Sequence, residues 1–173
     1  DRIGEKGVYV NPTLHVGRSG RWKLEHKKTA QGLTSEETAT LEATYRNNEV
    51  RLEDSRKMIE MGLKVITGSD SSWGDYSLGN TFHETELLVE SGYSNYEGLK
   101  SVTINAAMAL GLGDTAGSIA KGKSADFAIL KSNPLDDIKN LSSVEEVFLM
   151  GQHIDRGSDE SNKTYSQIKP AQF

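Results

Sequence analysis

An aspartate at the end of a short apolar segment is the residue of this sequence best placed for chemistry. The segment runs from Leu63 to Asp70, and its composition predicts a buried strand followed by a loop and a helix. A strand holds a carboxylate at its carboxyl end in place, while the loop leaves the group accessible; many enzymes present catalytic groups in this way. We therefore take Asp70 as the candidate acid–base residue, although an Asp that only caps a loop fits the local pattern too.

The other residues with acid–base or recognition chemistry are scattered. The four histidines, at positions 15, 26, 83 and 153, form no pair with metal-ligand spacing, and the absence of cysteine excludes disulfides and thiolate metal sites within this sequence. His15 follows the first predicted strand and His83 begins a predicted helix, so both are candidates for substrate contact. We interpret Glu84 and Glu86 on that helix as ordinary helix acids.

A polar, basic segment follows His15. Residues 17–32 contain Arg18, Arg21 and Trp22, and we predict that they form a long loop. The guanidinium groups are suited to binding a carboxylate on a substrate. A solvated lid surface fits the same residues.

Composition limits the classes of function. A formal charge of −5 and a pI near 5.4 give no basic surface for nucleic acid, so we expect no nucleic-acid partner. No apolar run approaches the roughly 18 residues of a membrane helix, so we expect no membrane partner. We expect a cytoplasmic location, although this segment does not determine it. At 173 residues the sequence is shorter than the about 250 of a whole (β/α)8 barrel, and it begins as if within the last turn of a helix, so we expect a piece of a longer protein.

The first half alternates strand and helix signals. Val8–Leu14 is a predicted strand whose pairing should stop near Pro12. Thr34 and Glu37 have the spacing of a capping box, and residues 35–61 are predicted to form one long helix or two consecutive helices.

The second half changes from helices to strands. Phe82–Ser91 and Asn95–Leu110 are predicted helices, and Ala125–Leu130 and Val144–Met150 are predicted strands. We expect the polar tail at 157–173 to be disordered. The pattern indicates an α/β fold: part of a parallel barrel joined to a β-rich end.

One motif matches a nucleotide-binding pattern out of context. Gly117–Ser124 satisfies the phosphate-loop consensus letter for letter, but that loop needs a preceding strand and a following helix. A predicted helix precedes it here and a β-rich run follows, so we keep nucleotide binding only as a third hypothesis.

An ordered set of motifs resembles a known superfamily. The segments Gly68-Ser69-Asp70, Glu84 to Glu90, Thr103 to Ala107, Gly117 to Lys123 and Asn133-Pro134-Leu135 resemble the carboxyl-terminal third of the metal-dependent amidohydrolases. The resemblance is nearest to the imidazolonepropionase-like and dipeptidase-like branch and spans about Gly7 to Gly151.

The resemblance implies a fold and a division of the chain. Residues 1–115 would be the last strands and helices of a (β/α)8 barrel. Residues 116–156 would be part of a small β-sandwich subdomain. Asp70 would follow the eighth barrel strand, where the superfamily places an acid that binds the metal.

The resemblance also implies an enzyme that hydrolyses C–N bonds in a small cyclic amide, amide or dipeptide-like substrate. Asp70 would be both metal ligand and general base and acid, with His15, Arg18, Trp22 and His83 as weaker candidates for substrate contact. The metal would be zinc, or alternatively iron, with its remaining ligands outside this chain, so we expect the isolated chain to be inactive. The alternative is a non-catalytic, self-associating module, since an open piece of barrel exposes strand edges; a homo-oligomer is expected.

Overall fold

The computed structural model describes residues 2–70 and 81–155, apart from the side chains of residues 17–19. The chain divides between Tyr93 and Ser94 into two compact units. The predicted polar tail at 157–173 lies outside the described residues.

The first unit combines helices with a two-stranded parallel sheet. Its helices are α1 (Arg2–Glu5), α2 (Arg18–Gln31), α3 (Ser35–Glu60) and α4 (Phe82–Glu90), and its strands are β1 (Tyr9–Val10) and β2 (Lys64–Val65). A 3₁₀ turn at Leu14–Gly17 lies between β1 and α2.

The long helix α3 begins as the sequence predicts. The Thr34 side chain accepts the Glu37 backbone N–H, and the Glu37 side chain accepts the Thr34 N–H, which is a complete capping box. The alternative of two consecutive helices is wrong, because α3 continues unbroken to Glu60. Gly62 then takes φ +72 as the chain turns towards β2.

The segment predicted as a loop at 17–32 is a helix. Helix α2 covers 14 of these residues, so the prediction is wrong. Gly20 and a mostly polar composition, without a clear apolar stripe, do not favour a helix in the sequence. Contacts with α3 stabilise this helix beyond its weak intrinsic helix propensity. The Arg21 guanidinium lies 5.7 Å from the Tyr45 ring centroid, and the Tyr45 hydroxyl donates to Glu25.

The core of the first unit lies beneath the two strands. Leu14, Leu63, Val65 and Leu88 are buried together, and Val65 and Leu88 have no exposed surface. Because these residues come from the turn after β1, from β2 and its flank, and from α4, the apolar core fixes the strand ends relative to α4.

The second unit begins with two short helices. The predicted helix at 95–110 is two, α5 (Asn95–Val102) and α6 (Ile104–Ala109), because Thr103 departs from helical dihedral angles. Ser94 and Glu97 form a second capping box at the start of α5. Gly117 packs against α6 so closely that a Cβ there would lie 2.6 Å from the Ala107 Cβ.

The second unit ends in an antiparallel sheet of order β3-β4-β5, with strands Phe127–Leu130, Val144–Leu149 and Gln152–Ile154. The first two were predicted, and the third was not. Met150 at φ +50 and Gly151 at φ +77 form the tight turn between β4 and β5. Whether this sheet is part of a β-sandwich stays a prediction.

The structure also bears on nucleotide binding and on membrane insertion. The phosphate-loop match at Gly117–Ser124 is followed by a turn and then β3, without the helix that phosphate binding requires. Among the described residues, no helix is both long and apolar enough to cross a membrane.

Candidate functional site

Two chain segments leave the same edge of the parallel sheet. Tyr9 pairs with Lys64 and Val10 with Val65, and the Ile66 N–H donates to the Val10 carbonyl at 2.9 Å. Residues 11–15 and 66–70 therefore both emerge at the carboxyl ends of β1 and β2. In parallel α/β structures this edge carries binding and catalytic groups.

Asp70 is exposed at the end of the second segment. Its backbone has φ +46, a left-handed conformation that Asp tolerates better than most residues. The regular strand is only two residues long, shorter than the sequence predicts, and residues 66–70 continue beyond it. The loop predicted to follow Asp70 lies, at residues 71–80, outside the described residues.

Asn11 and Gly68 hold the two segments close together. A Cβ on Gly68 would lie 1.8 Å from Asn11 Nδ2 and 2.7 Å from its Cγ, so the Asn11 amide occupies the space that any side chain would need. Asn11 Oδ1 also accepts the Thr13 N–H at 3.2 Å. Thr13 has φ +46, unusual for a β-branched residue, and this contact helps to stabilise it.

A buried glutamate holds the segment after β1. Glu84, in the first turn of α4, has no exposed surface. Its two carboxylate oxygens accept the backbone N–H groups of Leu14 at 2.8 Å and His15 at 2.9 Å. The interpretation of Glu84 as an ordinary helix acid is therefore wrong: it is a structural anchor for the end of β1.

The same carboxylate contacts the His15 ring. His15 Nδ1 lies 3.3 Å from Glu84 Oε2, and the side chain is buried, with 4% of its residue surface exposed. If the imidazole is neutral, this contact favours the tautomer with the proton on Nδ1. Local sequence carried no signal of the pairing, because the two residues are 69 positions apart.

The remaining candidates lie elsewhere on the first unit. His83 is buried on α4 with Nδ1 3.4 Å from Glu86 Oε2, and Trp22 lies on α2 with its ring centroid 6.2 Å from that of His26. Arg18 is the first residue of α2, and its side chain is outside the described part of the structure. His83 is the residue before Glu84 on α4, and Glu84 contacts His15.

The described residues do not form a metal centre. Within residues 2–70 and 81–155, no group of three or more His, Cys, Asp or Glu side chains is arranged to hold a metal ion. Zinc needs about three protein ligands even in an open catalytic site. Asp70 could contribute one metal ligand, but one ligand alone does not form a metal site.

Comparisons with known proteins identify the family of the chain. The model of the Amidohydrolase family matches residues 2–154. An imidazolonepropionase of Thermoplasma volcanium is 34% identical over 101 residues, covering 57% of this chain and 25% of that protein. An ochratoxinase of Aspergillus niger is 29% identical over 137 residues, covering 78% of this chain and 26% of that protein.

A solved structure shares the fold. The crystal structure of a Xaa-Pro dipeptidase with bound methionine in the active site matches with a TM-score of 0.68 and 27% identity, over 88% of this chain and 36% of that one. The chain therefore spans about a quarter to a third of the length of the proteins that it resembles.

Proposed function

The chain belongs to the amidohydrolase family, and on that premise we propose that the protein containing it hydrolyses C–N bonds in small amide, cyclic amide or peptide-like substrates. The observation that carries the proposal is the position of Asp70, which follows β2 at the edge where two parallel strand ends meet. The likeness to an imidazolonepropionase and to a Xaa-Pro dipeptidase supports the class of bond.

Asp70 is the acid–base group of the proposed reaction. Its carboxylate accepts a proton from the attacking water and later delivers it to the leaving nitrogen, so that one residue acts first as general base and then as general acid. The exposed position of the carboxylate allows both transfers.

The family implies a divalent metal, zinc or alternatively iron, and Asp70 would be one of its ligands. Such an ion lowers the pKa of a bound water to about 7 and polarises the carbonyl under attack. Because the described residues do not complete a metal site, the other ligands would come from outside them. We propose that this chain alone neither binds the ion tightly nor catalyses hydrolysis.

Residues near the strand ends would contact the substrate. His15 is one weak candidate, because Glu84 fixes it directly after β1 but its side chain is buried. Arg18, Trp22 and His83 remain weaker candidates, with Arg18 suited to a substrate carboxylate.

The proposed activity can be tested on the longest gene product that contains this chain. We expect it to release the amine from a Xaa-Pro dipeptide or to open a cyclic amide, to lose that activity on treatment with a chelator, and to recover it with Zn²⁺ or Fe²⁺. Activity that survives complete removal of metal would contradict the metal-dependent class.

A non-catalytic, self-associating module is the second candidate. The observation that favours it is the exposed apolar side chains on one face of the β3-β4-β5 sheet, where Phe127 and Ile129 are each about 40% exposed. Sedimentation of the 173-residue chain separates the two. A concentration-independent monomer would count against this module.

A further inference from the structure

A cavity of about 460 Å³ lies between helices α2 and α3. Its walls contain basic, amide, hydroxyl and apolar groups, and none of the described residues that line it is acidic. The residues that matter for its chemistry are Arg21, Leu24, Asn47, Asn48, Val50 and Arg51.

Arg51 brings a positive charge to this cavity without an acidic partner. Its Nη2 donates to the Pro12 carbonyl at 3.0 Å and to the Thr13 carbonyl at 2.5 Å. Within the described part of the chain, no carboxylate forms an ion pair with it, and its Nε and Nη1 make no hydrogen bond. A half-buried guanidinium that keeps its charge and still has donors available is suited to a charge-assisted hydrogen bond with an anion.

The second arginine of the cavity is already neutralised. Arg21 Nε lies 3.3 Å from Glu25 Oε1, and the same carboxylate oxygen accepts the Tyr45 hydroxyl at 2.7 Å. The cavity therefore has one uncompensated positive charge, which matches a ligand with a single negative charge.

We propose that this cavity is a binding site for a small molecule that carries one carboxylate and an apolar body. Arg51 binds the carboxylate through a charge-assisted hydrogen bond from Nε or Nη1, and the amides of Asn47 and Asn48 provide further donors. Leu24 and Val50 provide apolar surface for the body of the ligand. The site does not depend on Asp70 and goes beyond the proposed hydrolysis.

Binding in this cavity would reach the segment after β1. The guanidinium that binds the ligand also holds the carbonyl groups of Pro12 and Thr13, and the backbone N–H groups of Leu14 and His15 are held by Glu84. A ligand on Arg51 should therefore change the environment of Thr13 as well as that of α2 and α3.

The test uses 3-phenylpropanoate and its neutral counterpart, 3-phenylpropanamide, which share the same body and differ in charge. Titration of the ¹⁵N-labelled 173-residue chain should show saturable shifts in α2, α3 and Thr13 with the carboxylate. The amide should bind about tenfold more weakly or worse, since it lacks the ionic contact. Equal binding of the two probes, or tighter binding of inorganic phosphate, would overturn the proposal.

Two variants and one control locate the binding. Arg51→Gln removes the charge, and Asn48→Leu fills the cavity while leaving the contacts of Arg51 with Pro12 and Thr13 in place; both should weaken binding of the carboxylate about tenfold. Arg46→Gln makes the same change of charge on an exposed position of α3 and should leave binding unchanged. Wild-type affinity in Asn48→Leu, or no saturable binding to the wild-type chain, would contradict the assignment.

Discussion

At the scale of single residues, Glu84 anchors the segment that follows β1. It satisfies two backbone N–H groups that are 69 and 70 positions away in sequence, from a position with no exposed surface. A buried donor that loses its acceptor costs about 1–3 kcal/mol.

Replacing Glu84 by Ala should therefore lower the free energy of unfolding by about 2–5 kcal/mol, because two donors lose their acceptor at once. Urea denaturation measures the change, and Glu90→Ala, on the exposed surface of the same helix, is the matched control. An Ala variant at position 84 as stable as the control would show that the anchor contributes nothing.

Gly68 and Asn11 provide a second test at this scale. In Gly68→Ala the new Cβ would lie 1.8 Å from Asn11 Nδ2, so the Asn11 amide must move away. We expect a loss of about 1 kcal/mol and shifted amide resonances at Thr13, which Asn11 otherwise holds.

A double-mutant cycle separates this contact from general strain. In an Asn11→Ala background, Gly68→Ala should cost much less, because the opposing amide is gone. An equal cost in both backgrounds would mean that Asn11 and Gly68 are not coupled.

At the scale of elements, local signals predicted those elements that local chemistry determines. The capping residues Thr34 and Glu37 placed the start of α3, and Pro12 limited β1. Elements that depend on tertiary contacts were missed: α2, whose polar sequence packs against α3, and β5, whose turn places Met150 at positive φ. The break at Thr103 had no sequence signal, because no Gly or Pro marks it.

The residues of the candidate site also differ in whether local sequence could point to them. Asp70 could be proposed as a site residue from its position after an apolar segment and from the ordered motifs, and that assignment stays a prediction. The Glu84 anchor could not, since it joins a helix to a turn far away in sequence and only the folded chain brings them together.

The start of α3 should also respond to pH. A hydrogen bond from the Lys27 side chain, followed by the Thr34 backbone N–H, lowers the pKa of Glu37 below its usual value of 4.5. A pKa that is lower in the folded state means that the carboxylate stabilises the fold above the unfolded-state value. This contribution is lost as the pH falls through the folded-state pKa.

We therefore expect Glu37→Gln to reduce the loss of stability between about pH 5 and pH 3. Urea midpoints measured across this range test the effect, which solvent screening at this partly exposed position keeps small. Glu36→Gln, one residue earlier on the same helix, is the control. Identical acid profiles for Glu37→Gln and wild type would contradict the assigned ion pair.

At the scale of the whole molecule, the chain holds one edge of a proposed active site. It belongs to the amidohydrolase family over residues 2–154 and spans about a quarter to a third of its relatives' length. The described residues position Asp70 and His15 but do not complete a metal site. In this account the chain positions the proposed acid–base group, and the proposed metal ligands come from outside the described residues.

The rate of amide hydrolysis by Asp70→Asn, in the metal-loaded gene product that contains this chain, tests the central claim most directly. We expect kcat to fall by about 10²–10⁴, because the amide of Asn cannot accept and return the proton. Asp114→Asn, an exposed position in the second unit, should keep the wild-type rate. A wild-type rate in Asp70→Asn would contradict the assignment of Asp70 as the acid–base group.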